Sequence, residues 1–389
     1  MRVGILSPIA PKEIGGGYTF EQEIFDQILK LAPASKHEFV IFEGFRGAKN
    51  SLKPPGFRSV SLKRPLSDRF VRRKRRFPWE YKWIDRVLNR EGIEFFLNTT
   101  FEAVTLTIPF SAIVWDLQHR LQPHFPEVSA NGMLEHRDTF YSHVLKHATF
   151  VIVGTQAGKN EVQRFYNVPD QKIRILPHPT PSFALDETAS VADTLARFNL
   201  PSNYVFYPAQ FWSHKNHAAI LRAVARLKEV DSLRVPVVFT GSDQGNEGSV
   251  REMVDKLQLR DQIFFLGYVS RDELRALYQS ALCLCYVSFF GPENLPPLEA
   301  FGLGCPVIAA DVPGASEQLG DAAIRVNPSN DLEIASALKI LSQDKIKRDE
   351  LIRRGKERAR RFTGSDFAKG LIALLDEFES IRRCSPARA

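Results

Sequence analysis

Leu282-Cys283-Leu284-Cys285-Tyr286 leads through a short loop to Phe290-Gly291-Pro292-Glu293-Asn294-Leu295-Pro296-Pro297-Leu298-Glu299-Ala300-Phe301, and Pro306-Val307-Ile308-Ala309 follows. The first and last runs are short and apolar, as strands buried on both faces are. Between them a Gly/Asn loop turns into an apolar stretch opened by prolines, which are tolerated there because the first helical amides have no intrahelical acceptor. The order strand, loop, helix, strand predicts a parallel βαβ crossover.

The same alternation extends outward in both directions. After the middle of the chain, strands are predicted at 204–208, 236–240, 263–266, 282–286, 306–309 and 323–326, with helices at 216–229, 248–257, 271–279 and 296–302. The first half offers strands at 3–6, 38–42, 95–97, 112–115 and 150–153, with helices at 19–31 and 137–146. The expected class is therefore α/β, with two Rossmann-like halves in series. No short internal repeat is present. Pro177-His178-Pro179-Thr180-Pro181 marks the boundary, since closely spaced prolines end regular structure. The expected domains are 1–180, 181–366 and a terminal helix and tail at 367–389; the helix could complete either half, and packing back on the N-terminal domain is the expectation.

The length of 389 residues exceeds one ordinary core and suits two domains. Apolar residues at 44% and charged residues at 25% exclude wholesale disorder. A net charge of +7 suits nucleic acid, anionic lipid or a phosphorylated ligand without choosing among them. The opening run 1–7 is too short for a signal peptide, and no apolar stretch approaches the roughly 18 residues of a membrane span, so the chain is expected to be cytoplasmic. Cys283, Cys285, Cys305 and Cys384 lack a second cluster at zinc-ligand spacing and are read as reduced thiols, the first three buried. The segment 63–76 holds eight Lys and Arg residues beside Phe77-Pro78-Trp79. It suits either a solvated surface or contact with anionic membrane lipid or a phosphorylated acceptor. No nucleic-acid motif accompanies it, so no nucleic-acid partner is expected.

Gly15-Gly16-Gly17 follows the first strand and precedes a helix, so Gly16 and Gly17 are candidates for close backbone approach to an anionic ligand. In the second half, the amides of Asn294 and Leu295 at a helix start are placed to hold a phosphate. Glu299, farther along that helix, can accept two ribose hydroxyls.

These residues, with Gly304-Cys305-Pro306-Val307-Ile308-Ala309 and Pro313-Gly314-Ala315-Ser316-Glu317 behind them, resemble the retaining glycosyltransferases of family GT4 (glycosyl transferases group 1). Phe206-Tyr207-Pro208-Ala209-Gln210-Phe211-Trp212-Ser213-His214-Lys215-Asn216 is similar to that family's phosphate-binding segment, and Phe265-Leu266-Gly267-Tyr268-Val269-Ser270 to its base loop. Asp116-Leu117-Gln118-His119 and Arg164-Phe165-Tyr166-Asn167-Val168-Pro169 look similar to it in the first half.

The resemblance implies a GT-B fold, two Rossmann-like domains facing a central cleft, the first for acceptor and the second for nucleotide sugar. It implies transfer of a hexose or deoxyhexose, such as mannose or rhamnose, to a glycan or lipid-linked acceptor in bacterial surface polysaccharide synthesis. Lys215, His119 and Asp116 are then the catalytic group, with Lys215 on the departing diphosphate and His119 orienting donor sugar or acceptor. Gly16, Gly17, Gln210, Lys215, Tyr268, Val269, Glu293, Asn294, Leu295 and Glu299 form the donor-binding group. With no Asp-x-Asp in the chain, a metal-independent reaction without a further cofactor is expected.

Three departures stand out. Gly291 takes the place of the first glutamate in the family's E-x7-E, Gln210 that of a phosphate-binding arginine, and Trp115 that of a histidine. Glu293 is the local candidate to replace the missing carboxylate. A sugar-nucleotide epimerase of the same fold and a catalytically inactive nucleotide-sugar-binding protein are the alternative readings.

Overall fold

A computed structural model describes residues 1–10, 15–44, 55–62, 77–100, 102–186 and 196–384. The basic segment 63–76 lies outside them. The chain forms two compact units, one of Met1–Arg120, Leu134–Pro177 and Gly364–Ala389, the other of Leu121–Met133 and His178–Thr363.

The described residues of unit 1 form seven parallel strands, β1 (Arg2–Leu6), β2 (Glu38–Glu43), β3 (Arg58–Ser61), β4 (Phe95–Leu97), β5 (Ser111–Ile113), β6 (Phe150–Val153) and β7 (Ile173–Ile175). They run in the orders β3-β2-β1-β4 and β5-β6-β7, and a parallel bridge between Phe96 and Phe110 joins the two sets. Its helices of eight or more residues in the first half of the chain are α1 (Gly16–Leu31), α2 (Lys82–Arg90), α3 (Met133–His147) and α4 (Gln156–Tyr166).

Unit 2 is one six-stranded parallel sheet of β8 (Val205–Pro208), β9 (Val237–Thr240), β10 (Ile263–Phe265), β11 (Cys283–Tyr286), β12 (Val307–Ala310) and β13 (Ala323–Val326), in the order β10-β9-β8-β11-β12-β13. Val205, Phe206 and Tyr207 are all fully buried, which is why this strand reads as an unbroken apolar run. The helices between and after the strands are α5 (His217–Asp231), α6 (Glu247–Lys256), α7 (Arg271–Ser280), α8 (Leu295–Gly302), α9 (Asp331–Gln343) and α10 (Lys345–Ala359). Side-chain caps fix several starts: Ser270 and Glu273 form a reciprocal capping box on α7, Asn330 caps α9 and Asp344 caps α10. The final helix, α11 (Gly364–Cys384), belongs to unit 1.

Every predicted strand and helix has a counterpart within a few residues. Missing from the prediction are β3, β7, α2, α4, α9 and α10. One assignment of chain to unit also differs: 121–133, placed by sequence with the first half, packs with unit 2. Cys283, Cys285 and Cys305 are free and buried, and Cys384 is free and exposed. Among the described residues no helix is long and apolar enough to cross a membrane.

Candidate functional site

In unit 2 the sheet order reverses between β8 and β11, and in open parallel sheets ligands bind beyond the carboxyl ends of the strands at that point. Two loops meet there. The one after β8 carries Gln210 and Lys215, and the one after β11 carries Ser288, Gly291, Glu293 and Asn294. Tyr286, Ser288, Gly291, Asn294 and Gln318, with Ala309 and Ala310 at the end of β12, line a small pocket.

Lys215 ends a short 3₁₀ turn, Ser213–Lys215, and its Nζ donates to the Tyr286 hydroxyl at 2.9 Å while standing 5.3 Å from the ring centroid. The Tyr207 hydroxyl donates to the Lys215 carbonyl. Asn216 follows in the left-handed region and ties the turn to the sheet, donating through Nδ2 to the carbonyls of Val287 at 3.0 Å and Pro328 at 2.8 Å. The predicted cation is thus held at the pocket through Tyr286, a partner that its distant sequence position concealed.

Gly291 has φ +135°, and a Cβ there would lie 2.4 Å from the Asn294 side chain. The loop is shaped for a glycine, and the glutamate of E-x7-E would need both a strained backbone and a shift of the Asn294 side chain. Gly314 is similarly required, with φ +88° and a Cβ position 2.3 Å from the Pro292 carbonyl oxygen. Beyond it, Gln318 grips Asn294 twice, accepting from its backbone N–H and donating to its carbonyl, each at 3.0 Å. The Asn294 amide, expected to face a phosphate, is instead engaged by Gln318, and Leu295 is the first residue of α8.

Glu299 is 6% exposed and accepts from the Tyr278 hydroxyl at 2.8 Å. Burial pushes its carboxyl up to about 7, against the lowering effect of the tyrosine bond and of Arg271. Glu293 does not turn to the pocket as a replacement carboxylate. It is buried against the linker, accepting from the His178 backbone N–H at 2.7 Å, and burial pushes it up to about 8. His178 beside it is pushed down to about 4 by burial.

Gln210 is engaged at both ends, donating to Ser242 Oγ at 3.1 Å and accepting from Trp212 Nε1 at 3.0 Å. Tyr268 is 62% exposed in the loop after β10, with Val269 half-buried beside it.

The other predicted residues lie in unit 1. Gly16 and Gly17 open α1 after β1. Asp116, after β5, forms an ion pair with Arg137 at 2.5 Å. Burial alone would raise the Asp116 carboxyl, but the Arg137 charge brings it below its usual value. His119 is 1% exposed, stacked on Tyr141 at 5.5 Å, with Nε2 2.8 Å from the Tyr166 hydroxyl. Tyr166 donates to Asp138, so it accepts from His119. Burial, then the Arg137 charge, pushes His119 down to about 4. In this conformation His119 is an interior residue that positions Tyr166. Glu161 on α4 is pushed up to about 7 by burial and then by Asp116.

Among the described residues, one group has metal-ligand proximity: His37, Asp376 and Glu379, whose ligand atoms lie within 4.8 Å of one another. The Lys36 ammonium stands 2.8 Å from Asp376 and 3.3 Å from Glu379, so that charge is already matched.

Residues 196–358 match the family described as glycosyl transferases group 1. O-antigen chain mannosyltransferase RfbU of Salmonella typhimurium is 29% identical over 201 residues, which cover 51% of this chain and 52% of that protein. The chain thus matches about half the length of that relative. Among solved structures, sucrose-phosphate synthase of Thermosynechococcus elongatus superimposes with a TM-score of 0.72 at 18% identity, covering 98% of this chain and 99% of that one. HepE of Anabaena in complex with UDP-glucose gives 0.71 at 15% identity, covering 97% and 100%. The second unit of this chain carries a glycosyl transferases group 1 domain, and its two α/β units have the GT-B fold.

Proposed function

We propose that the chain is a retaining glycosyltransferase that moves a hexose or deoxyhexose from a nucleotide-diphosphate donor to a glycan or lipid-linked acceptor in bacterial surface polysaccharide synthesis. The observation that carries this reading is the Lys215 ammonium bonded to the hydroxyl of Tyr286, a residue that lines the pocket beside the start of α8. When the bond from the sugar's anomeric carbon to the diphosphate breaks, negative charge collects on the leaving group. A fixed cation and a helix start stabilise that charge without reorganising. In retaining chemistry a leaving phosphate oxygen takes the proton of the acceptor hydroxyl on the same face, so no protein nucleophile is required. Glu299, with one oxygen on Tyr278, has its other oxygen for the ribose. Lys215 supplies the positive charge that a metal would otherwise bring, so the proposed reaction is metal-independent. The mannosyltransferase among the relatives supports mannose as the first donor sugar to try.

The test is a melting-temperature panel of nucleotide sugars, because a ligand that binds only the folded state raises stability by mass action. The positive donors are then assayed for transfer to lipid-linked glycan with and without a chelator. At least one donor should raise the melting temperature and be turned over in chelator. A chain that binds donors and transfers nothing would be the inactive nucleotide-sugar-binding protein instead.

A further inference from the structure

A buried carboxylate that none of these steps uses lies beside Lys215. Glu127 sits in the short helix Pro126–Ser129, within the stretch Leu121–Met133 that packs as part of unit 2. Its Oε1 accepts from the His214 backbone N–H at 3.0 Å and is bonded to His214 Nδ1. The side chain is 6% exposed, and Oε2 is buried with no hydrogen-bond partner among the described residues. A carboxylate taken out of water must be matched by a cation or be neutralised. Burial would raise Glu127, but the bonds from His214 bring it below its usual value, so it is ionised at neutral pH. Among the described residues its one ion-pair partner is His214.

His214 is fixed at the pocket. Its carbonyl accepts from the Phe289 N–H at 2.9 Å and from Ser288 Oγ at 3.3 Å, and Ser288 lines the pocket together with Gly291 and Asn294. From the Leu121–Met133 side, Phe125 packs edge-on to the His214 ring at 6.1 Å, with His124 against Phe125, and Gln122 donates to the Phe289 carbonyl at 3.0 Å. Among the described residues the other titratable groups close by are Lys215, next in the chain, and His217, which burial pushes down to about 3 and which is neutral. Gln210, where the related pattern has an arginine, brings no charge.

We propose that Glu127 and His214 form a dyad in which the carboxylate holds His214 as an imidazolium, and that this charge acts beside Lys215 on the diphosphate of the nucleotide donor, in place of the arginine that position 210 lacks. The inference rests on the reading of the site as a nucleotide-diphosphate site. It gives the Leu121–Met133 stretch a purpose, since that stretch delivers the counter-charge without which a second cation next to Lys215 would be repelled.

The experiment is calorimetric binding of ADP, GDP, UDP and dTDP to the full chain, to Glu127→Gln and to His214→Gln, at pH 6, 7 and 8.5. His214→Gln should weaken the diphosphate that binds by about tenfold at pH 6, the scale of one charge-assisted interaction. The gap to the unsubstituted chain should close toward pH 8.5, where the ligand's own ionisation cancels in the comparison. Glu127→Gln should behave as His214→Gln does. Independently, nitrogen NMR of the unsubstituted chain should show both ring nitrogens of His214 protonated at pH 7. A neutral His214, or equal affinities of the chain and His214→Gln at every pH, would overturn the dyad while leaving the site reading intact. Binding of none of the four diphosphates by the unsubstituted chain would remove the site reading, and the dyad with it. If Glu127→Gln fails to fold, the NMR measurement on the unsubstituted chain still decides.

Discussion

Lys215 stands on a turn that Tyr207 and Asn216 hold from below and Tyr286 from the side. Such preorganisation is what makes a cation worth more in the transition state than in donor binding. Lys215→Ala should therefore lose about a hundred- to a thousandfold in turnover, with donor affinity falling less. Turnover within a few fold of normal would return Lys215 to a solvated residue before a helix. Glu293 makes a different prediction, one about stability. Its folded carboxyl titrates at about 8, against an ordinary value of 4.5. Between those two values the folded state binds a proton that the unfolded state has released, so stability falls as pH rises through that window and is flat above it. Glu293→Gln keeps an acceptor for the His178 N–H and removes the charge that burial opposes. Its melting temperature should match that of the parent near pH 4.5 and exceed it increasingly up to pH 8. Parallel melting curves across that range would show that Glu293 is not the group responsible. The sequence singled out Lys215 and Glu293 by position in a motif, but it could not distinguish their surroundings. Lys215 meets a tyrosine 71 residues on, and Glu293 meets an amide 115 residues back.

At the scale of the element, the loop after β11 depends on its neighbour after β12. Gly314 presses on Pro292 and Gln318 clamps Asn294, so the short helix Ala315–Leu319 acts as a buttress for the start of α8. Gly314→Ala asks for a side chain at φ +88° and pushes it against a backbone oxygen. A destabilisation of more than about 1 kcal/mol is expected, together with weaker binding of nucleoside diphosphate, read by denaturant melts and calorimetry. Unchanged affinity in a destabilised variant would uncouple the buttress from the site. The sequence displayed this βαβ unit openly, because β11, α8 and β12 are apolar and the prolines mark the helix start. It hid α10, whose surface is laced with i,i+4 pairs such as Arg353 with Glu357 and whose apolar stripe is narrow. It hid β7 too, only three residues long with Ile175 exposed. The α9 helix had a legible signal in its Asn330 cap and the spacing of Ile334, Leu338 and Leu341.

Across the whole molecule the chain does not build its units one after the other. It leaves unit 1 for the 121–133 stretch, returns, builds unit 2, and comes back with α11. Periodicity shows where elements lie, but the return of the last helix is a matter of long-range contact that no local pattern encodes. That return is substantial. Phe367, Leu371, Leu374 and Leu375 are all buried, Phe367 meets Phe20 at 5.5 Å, and Phe378 meets Phe95 at 4.9 Å. Lys36, His37 and Glu94 pair with Asp376, Asp376 and Arg382 in turn. At about 1.5–3 kcal/mol for each large apolar side chain, these four residues alone contribute roughly as much as the 5–15 kcal/mol that separates a typical folded domain from its unfolded chain. A chain ending at residue 363 should thus lose unit 1 as a cooperative body, while unit 2, which α11 does not complete, keeps its transition. Scanning calorimetry should show the full-length profile reduced by the part belonging to unit 1, and limited proteolysis should remove 1–120 first. Nucleoside diphosphate should still bind, since Lys215, Tyr286, Gln318 and the Glu127–His214 dyad all belong to unit 2. Unit 1 melting unchanged without α11 would mean that its sheet and first four helices suffice, and that the final helix serves something other than the fold.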